Sequence, residues 1–333
     1  MNASPKFSLT RRAALTFAAG TCAAAVIPTL PAWAQSDKAL RVILPVGAGS
    51  GVDTIMRAAV PSLTKALGGQ GVVIDNLPGA GGITGASALA KAAPDGLTIG
   101  VVSNNHVINP SVYKKIPYDT LGDFTPISVV GATPFVLVVN PAKVAAKNVK
   151  ELIALLMARP DTFNYASSGN GTVIHLASEM FVDQAKVAMR HIPYKSTGAM
   201  VTDLIGGQVE IGVVALPVAQ AHLKSGALRA IGVCGKTRSP AAPEIPTIAE
   251  QGLPNYEIEG WFAVVGPARL PPEHVKHIHA AFVSAFNTPE VKEAMAKQGN
   301  IIKPSTPEAA ALYFRSEMAR YAALAKKAGI SLD

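Results

Sequence analysis

Cysteine is nearly absent from this chain: only Cys22 and Cys234 occur among 333 residues. One of these thiols lies in an N-terminal leader, so no disulfide framework can form and stability must come from packing. Charge is also sparse, with Asp, Glu, Lys and Arg at 16% against 49% hydrophobic residues. That balance excludes a disordered polyampholyte and describes a compact globular protein. The basic residues form no stripe interleaved with aromatics, so no nucleic-acid partner is expected. Beyond the leader, no apolar run reaches the roughly 20 residues of a bilayer span. No Gly-Lys-Ser or Gly-Lys-Thr follows a glycine loop, which excludes a Walker phosphate site.

What is present begins with the leader. Residues 8–15 read SLTRRAAL, placing Arg11 and Arg12 ahead of an apolar run from Ala13 to Ile27, and PAWA follows at 31–34. A basic flank, a short apolar stretch and an Ala-x-Ala end predict a twin-arginine type export signal over 1–34, cleaved near Ala34. The mature chain is then expected in the periplasm. Cys22 follows Thr21, which is bulkier than the residue that usually precedes a lipid-attachment cysteine. Without Lys6, Arg11 and Arg12 the chain keeps 27 basic and 22 acidic residues, a formal charge of +5. So mild a positive field favours anionic solutes. The remaining length exceeds the usual ~100–200 residues of one domain, so two lobes with two cores are expected.

Three strand, glycine loop, helix units organise the chain. In ALRVILPVGAGSGVDTIMRAAVPSLTKAL at 39–67, the apolar run Leu40 to Leu44 reads as a buried strand. Gly47, Gly49 and Gly51 break it, and helical spacing resumes from Thr54 to Leu67. In VVIDNLPGAGGITGASALAKA at 72–92, a short strand passes through Gly79, Gly81, Gly82 and Gly85 into an alanine-rich helix. In NYASSGNGTVIHLASEMFVDQA at 164–185, Ser167, Ser168, Gly169, Asn170 and Gly171 take the same position. Helix starts carry unpaired N–H groups, and glycine lets a ligand approach them, so each loop is a candidate anion site. In open parallel sheets such loops line the crevice beyond the strand ends. Strands are also expected at Phe135–Val139, Val209–Val214 and Leu228–Val233, and helices at Val149–Ala158, Pro272–Asn287, Pro289–Gln298 and Pro307–Ala328, the last capped by Thr306. Strands alternating with helices predict parallel sheets.

Each functional reading has a plainer rival. GAGGITG at 79–85 spaces its glycines as GxGxxxG, not as the GxGxxG of dinucleotide sites, so no cofactor is expected. A serine hydrolase would use Ser167 or Ser168 with His175 or His191 and Asp203. The GxSxG elbow is missing, so no catalytic residue is assigned. His274, His277 and His279 do not share one helix face and no carboxylate or cysteine completes the set, so they are read as a solvated face and no metal is expected. Lys195 follows a short strand and could neutralise a distal carboxylate. Asp53 could simply cap the first helix.

The chain resembles, over essentially its whole mature length, the Bug-type solute-binding proteins of tripartite tricarboxylate transporters. The strings that carry the resemblance include RVILPVGAGSGVDTIMR at 41–57, VVIDNLPGAGGITGA at 72–86, NPSVYKKIPYDTLGDFTPIS at 109–128, YASSGNGTVIHLASEMF at 165–181 and HIPYKSTGAMVTDLIGGQVEIG at 191–212. The resemblance implies an α/β, type II periplasmic-binding-protein fold: two α/β lobes joined by two crossover segments, with a ligand cleft between them. The lobes would be 36–137 plus 259–333, and 138–258. It implies a small mono- or dicarboxylate ligand, with loops from both lobes contacting it: Gly47, Ala48, Gly49, Ser50, Gly51, Val52 and Asp53; Gly79, Ala80, Gly81 and Gly82; and Ser167, Ser168, Gly169, Asn170, Gly171 and Thr172 with His175. It also implies membrane subunits of a transporter as partners, a monomeric protein and no enzymatic activity. An exported serine-type hydrolase and a solute sensor for a signalling receptor stay open as alternatives.

Overall fold

A computed structural model describes residues 38–297 and 299–332, and the export signal expected over 1–34 lies outside the described residues. Two sheets organise the chain. The first contains β1 (Leu40–Leu44), β2 (Val72–Asn76), β3 (Thr98–Ser103), β4 (Phe124–Thr133), β10 (Gly260–Pro267) and β11 (Ile301–Ile302), in the order β11, β4, β10, β3, β1, β2. The second contains β5 (Phe135–Val139), β6 (Asn164–Ser167), β7 (Arg190–Pro193), β8 (Ile211–Ala215) and β9 (Arg229–Val233), in the order β7, β6, β8, β5, β9. The ten helices of the described residues are α1 (Gly51–Ala66), α2 (Ile83–Ala90), α3 (Asn105–Val112), α4 (Val149–Ala158), α5 (Val173–Ala185), α6 (Thr197–Gly206), α7 (Leu216–Lys224), α8 (Pro272–Phe286), α9 (Pro289–Lys297) and α10 (Pro307–Lys327).

The expectation of purely parallel sheets needs correcting. β1 is parallel to β2 and β3, and β6 to β7 and β8, but β10 runs antiparallel to β3 and β4, and β5 antiparallel to β8 and β9. β11, which follows α9, is also antiparallel to β4, whereas β5 and β10 enter directly from the other sheet. Only Pro134 separates β4 from β5, and residues 234–259 bring the chain back to β10. A strand delivered this way has no crossover helix of its own sheet, so nothing forces it to run parallel.

The cores are also partitioned differently from a simple one-per-lobe scheme. One apolar cluster covers the second sheet and continues through Phe135, Trp261 and Phe314 to one face of the first sheet. The other lies on the opposite face of the first sheet, where Ile55, Met56 and Leu63 of α1 meet Ile278, Phe282 and Phe286 of α8. Asn104 pins the returning strand. Its amide donates to the Glu259 carbonyl at 2.9 Å and to the Tyr321 hydroxyl at 2.8 Å, while Trp261 N–H donates to its side-chain oxygen at 2.9 Å. Helix starts are capped as their sequences require: Ser50, Asn148, Thr172, Ser196 and Thr306 each accept an amide from three residues on.

Candidate functional site

The first glycine loop joins β1 to α1. Ser50 is the cap of α1, and its hydroxyl accepts the Asp53 N–H at 3.3 Å. Asp53 itself is 2% exposed, and its carboxylate faces inward. It accepts Gly49 N–H at 2.8 Å, Arg57 Nε at 3.0 Å and Asn76 Nδ2 at 3.0 Å. Burial alone would raise this carboxyl. The bonds from Arg57, Gly49 and Asn76 outweigh it and hold the group below the usual carboxylate range. Asp53 therefore shapes the loop from behind, with its acceptor capacity spent on the protein. Gly47, Ala48 and Gly51 are exposed, and Gly51 and Val52 open the helix, where amides have no intrahelical acceptor.

The second loop joins β2 to α2 through a tight turn at Ala80–Gly82. Its backbone is left-handed at Ala80 (φ 46°), Gly81 (φ 63°) and Gly82 (φ 94°). Space adds a second demand for glycine, because a Cβ at Gly82 would lie 3.2 Å from the Pro45 carbonyl oxygen of the first loop. A Cβ at Gly81 would lie 3.3 Å from both Asn109 Oδ1 and Tyr113 Oη, and Asn109 Nδ2 donates to the Gly81 carbonyl at 3.1 Å. The first two loops and the end of α3 are thus in contact.

The third loop joins β6 to α5 in the other sheet. A Cβ at Gly171 would lie 3.0 Å from Val112 Cγ2, so this loop reaches the same last turn of α3 that supports Gly81. The second and third loops both reach residues 109–113, and Pro45, just ahead of the first loop, packs on Gly82. Inside the loop, Thr172 caps α5 and donates to the Gly169 carbonyl at 2.9 Å. His175, 6% exposed, accepts Gly171 N–H on Nδ1 at 3.1 Å, so it stabilises the loop rather than projecting from it. Its ring stacks on His191 with centroids 3.9 Å apart, and Nε2 lies 3.7 Å from Glu179. Burial, with His175 alongside, pushes His191 down to about 4. Tyr165 donates to the Glu179 carboxylate. Burial works to raise Glu179, yet the hydrogen bonds from His175 and Tyr165 hold it below the ordinary value.

This network does not make a nucleophile. Ser167 Oγ lies 2.7 Å from His191 Nε2, but Ser167 is fully buried and its hydroxyl donates to the Gly169 carbonyl at 3.0 Å. Ser168 pairs with Thr172, and Asp203 accepts the Tyr194 hydroxyl at 2.8 Å, remote from either role. Lys195 is exposed on the β7–α6 connection, beside Tyr194, whose N–H donates to the Ser167 carbonyl at 2.9 Å. The three histidines of α8 are half-buried rather than solvated. His279 Nε2 meets the Ser305 carbonyl at 2.9 Å and His274 packs on Gly96. Among the described residues no group of His, Cys, Asp and Glu could hold a metal.

Sequence reasoning missed four residues beneath the first two loops. Asn105, His106, Asn109 and Tyr118 line a small cavity of about 20 Å³, together with Pro45, Val46, Gly81 and Gly82. The signal was the polar run Ser103 to His106 directly after the apolar strand. A larger hollow, about 480 Å³, lies elsewhere, between α7, β9 and residues 241–245, away from the loops. Among the described residues no helix is long and apolar enough to cross a membrane.

With this geometry in hand, similarity to known proteins becomes informative. Residues 55–330 match the tripartite tricarboxylate transporter family receptor. Protein BugT of Bordetella pertussis is 34% identical over 316 residues, covering 94% of this chain and 95% of BugT. An R. palustris protein solved with adipate superposes with a TM-score of 0.81 at 30% identity, over 89% of this chain and 99% of that one. MatC from Rhodopseudomonas palustris, solved with bound malate, gives 0.77 at 26% identity, over 86% and 98%. The chain belongs to the tripartite tricarboxylate transporter receptors, a family of periplasmic solute-binding proteins that are not enzymes, and its two mixed sheets form their two-lobed α/β fold.

Proposed function

We propose that this protein is exported, closes its two lobes around a small carboxylate and delivers it to the membrane subunits of a tripartite transporter. The observation that carries the reading is that the second glycine loop, on the first sheet, and the third, on the second sheet, both reach the last turn of α3, with the first loop's approach, Pro45, packed on Gly82. Exposed amides at Gly47, Ala48 and Gly51 and the left-handed turn at Gly79 to Gly82 offer donors from one lobe. Asn170, exposed on the third loop, offers one from the other, and Lys195 adds a cation at the rim. Asp53, Ser167 and His175 hold the loops without touching ligand.

A hydrogen bond to a charged group contributes roughly 1.5–3 kcal/mol, and a partly exposed helix start about 0.3–1 kcal/mol. Four or five such contacts, less the ordering cost, reach the ~8 kcal/mol of a micromolar complex. Because the donors are divided between lobes, the ligand interacts fully only with the closed form and shifts the hinge toward it. The closed monomer is the form the transporter reads. The test is a thermal-shift screen of the purified protein against aliphatic and aromatic carboxylates, with neutral sugars as controls. Stabilisation by carboxylates alone is the expected result; stabilisation by sugars alone would sink the reading.

A further inference from the structure

The cavity beneath the first two loops contains polar atoms that the fold leaves unused. His106 is 4% exposed and Tyr118 is 7% exposed; both imidazole nitrogens of His106, the Tyr118 hydroxyl and Asn105 Oδ1 are buried with no well-formed hydrogen bond, although the Asn109 side chain acts on the Tyr118 hydroxyl and the Thr120 backbone on His106. All three residues line the cavity, together with Val46 beside the first loop and Gly82 of the second. A buried polar atom left unmade costs about 1–3 kcal/mol, so four in one place are not a by-product of packing. The surrounding rings fix His106: Phe124 meets it edge-on at 4.6 Å and Tyr118 stacks at 6.1 Å.

The chemistry of the lining selects what fits. None of the lining residues is Asp, Glu, Lys or Arg. Burial pushes His106 down to about 4, so the ring is neutral at physiological pH and presents one donor and one acceptor. Tyr118 can donate, and Asn105 Oδ1 can only accept. A carboxylate cannot donate to Asn105 and finds no positive charge to balance its own.

We propose that this well receives a single uncharged hydroxyl of the bound acid, so that the protein prefers hydroxy acids to the parent acids of equal length. The inference rests on the carboxylate reading above and names the subclass of acid within it. A hydroxyl matches the lining because it donates and accepts at once. Water can take its place when a parent acid is bound, which limits the preference to about tenfold rather than the far larger ratios of dry sites.

Calorimetric titration of the full protein with matched pairs tests it: succinate against malate, glutarate against 2-hydroxyglutarate, and propionate against lactate. The hydroxy acid of at least one pair should bind about tenfold more tightly. Tyr118→Phe, which removes only the hydroxyl, should bring that ratio down to about two- to threefold; His106→Phe should act similarly. Equal affinities within every pair would overturn the inference, as would a ratio unchanged in Tyr118→Phe. If acids bind without regard to the hydroxyl, only this inference falls; if no acid binds, the carboxylate reading falls with it.

Discussion

Removing the carboxylate of Asp53 should cost stability through the first loop, and the size of the effect follows from its partners. In Asp53→Ala, Gly49 N–H and Asn76 Nδ2 lose a charged acceptor in a part-buried setting, at roughly 1.5 kcal/mol each. The Arg57 side chain is 53% exposed and rehydrates, so its pairing adds at most about 1 kcal/mol. A loss of about 4 kcal/mol corresponds, for a folded unit this large, to a fall in Tm of roughly 8–16 °C. Asp53→Asn keeps the shape and one oxygen and should lose about half as much. The pH dependence has a definite sign. Because the folded carboxyl sits below its ordinary value, its contribution is fully present above about pH 5 and disappears as pH falls through the folded value. Differential scanning calorimetry of wild type and Asp53→Asn should therefore show a gap at pH 7 that narrows between pH 5 and pH 2. Equal melting at pH 7, or a gap that persists undiminished at the acid end, would refute the reasoning.

Gly82→Ala places a Cβ 3.2 Å from the Pro45 carbonyl at φ 94°, and should cost about 1–3 kcal/mol in chemical denaturation and weaken carboxylate binding at least tenfold. His175→Ala removes the acceptor of Gly171 N–H, so hydrogen exchange at Gly171 should accelerate and Tm should fall, by an amount corresponding to about 1–3 kcal/mol. Asn104→Ala breaks three bonds at the returning strand and should lower the urea midpoint by an amount corresponding to about 3 kcal/mol. An unchanged midpoint would mean that the strand is held by packing alone.

The sequence disclosed those parts of the fold whose local pattern and tertiary role agree. Leu40–Leu44, Phe135–Val139 and Val149–Ala158 are apolar or amphipathic without interruption, and each coincides with a strand or helix. β4 was not legible because it carries Pro126 at a register shift against Val265 and Gly131 where β11 comes close. α3 was hidden by Asn105, Asn109 and Pro110, residues that usually announce turns. For the site, glycines and helix starts located the loops, but the division of labour within them depends on which way a carboxylate or an imidazole turns. Asp53 and His175 read as possible ligand contacts in one dimension, and in three both are buried and hydrogen-bonded within their own loops. The well at His106 and Tyr118 could not be read at all, since it joins residues from two loops, a helix and the segment after it.

The insertion of β10 between β3 and β4 bears on how this chain is born. The second sheet is contiguous, from 135 to 233, and can assemble as soon as those residues are free. The first sheet waits for residue 260 and beyond, because β3 and β4 pair with the late strand and not with each other. Such distant pairing raises contact order and slows folding. A polypeptide truncated near residue 259 would keep an intact second half-structure beside two bare strand edges, an invitation to aggregate that only the full-length product removes.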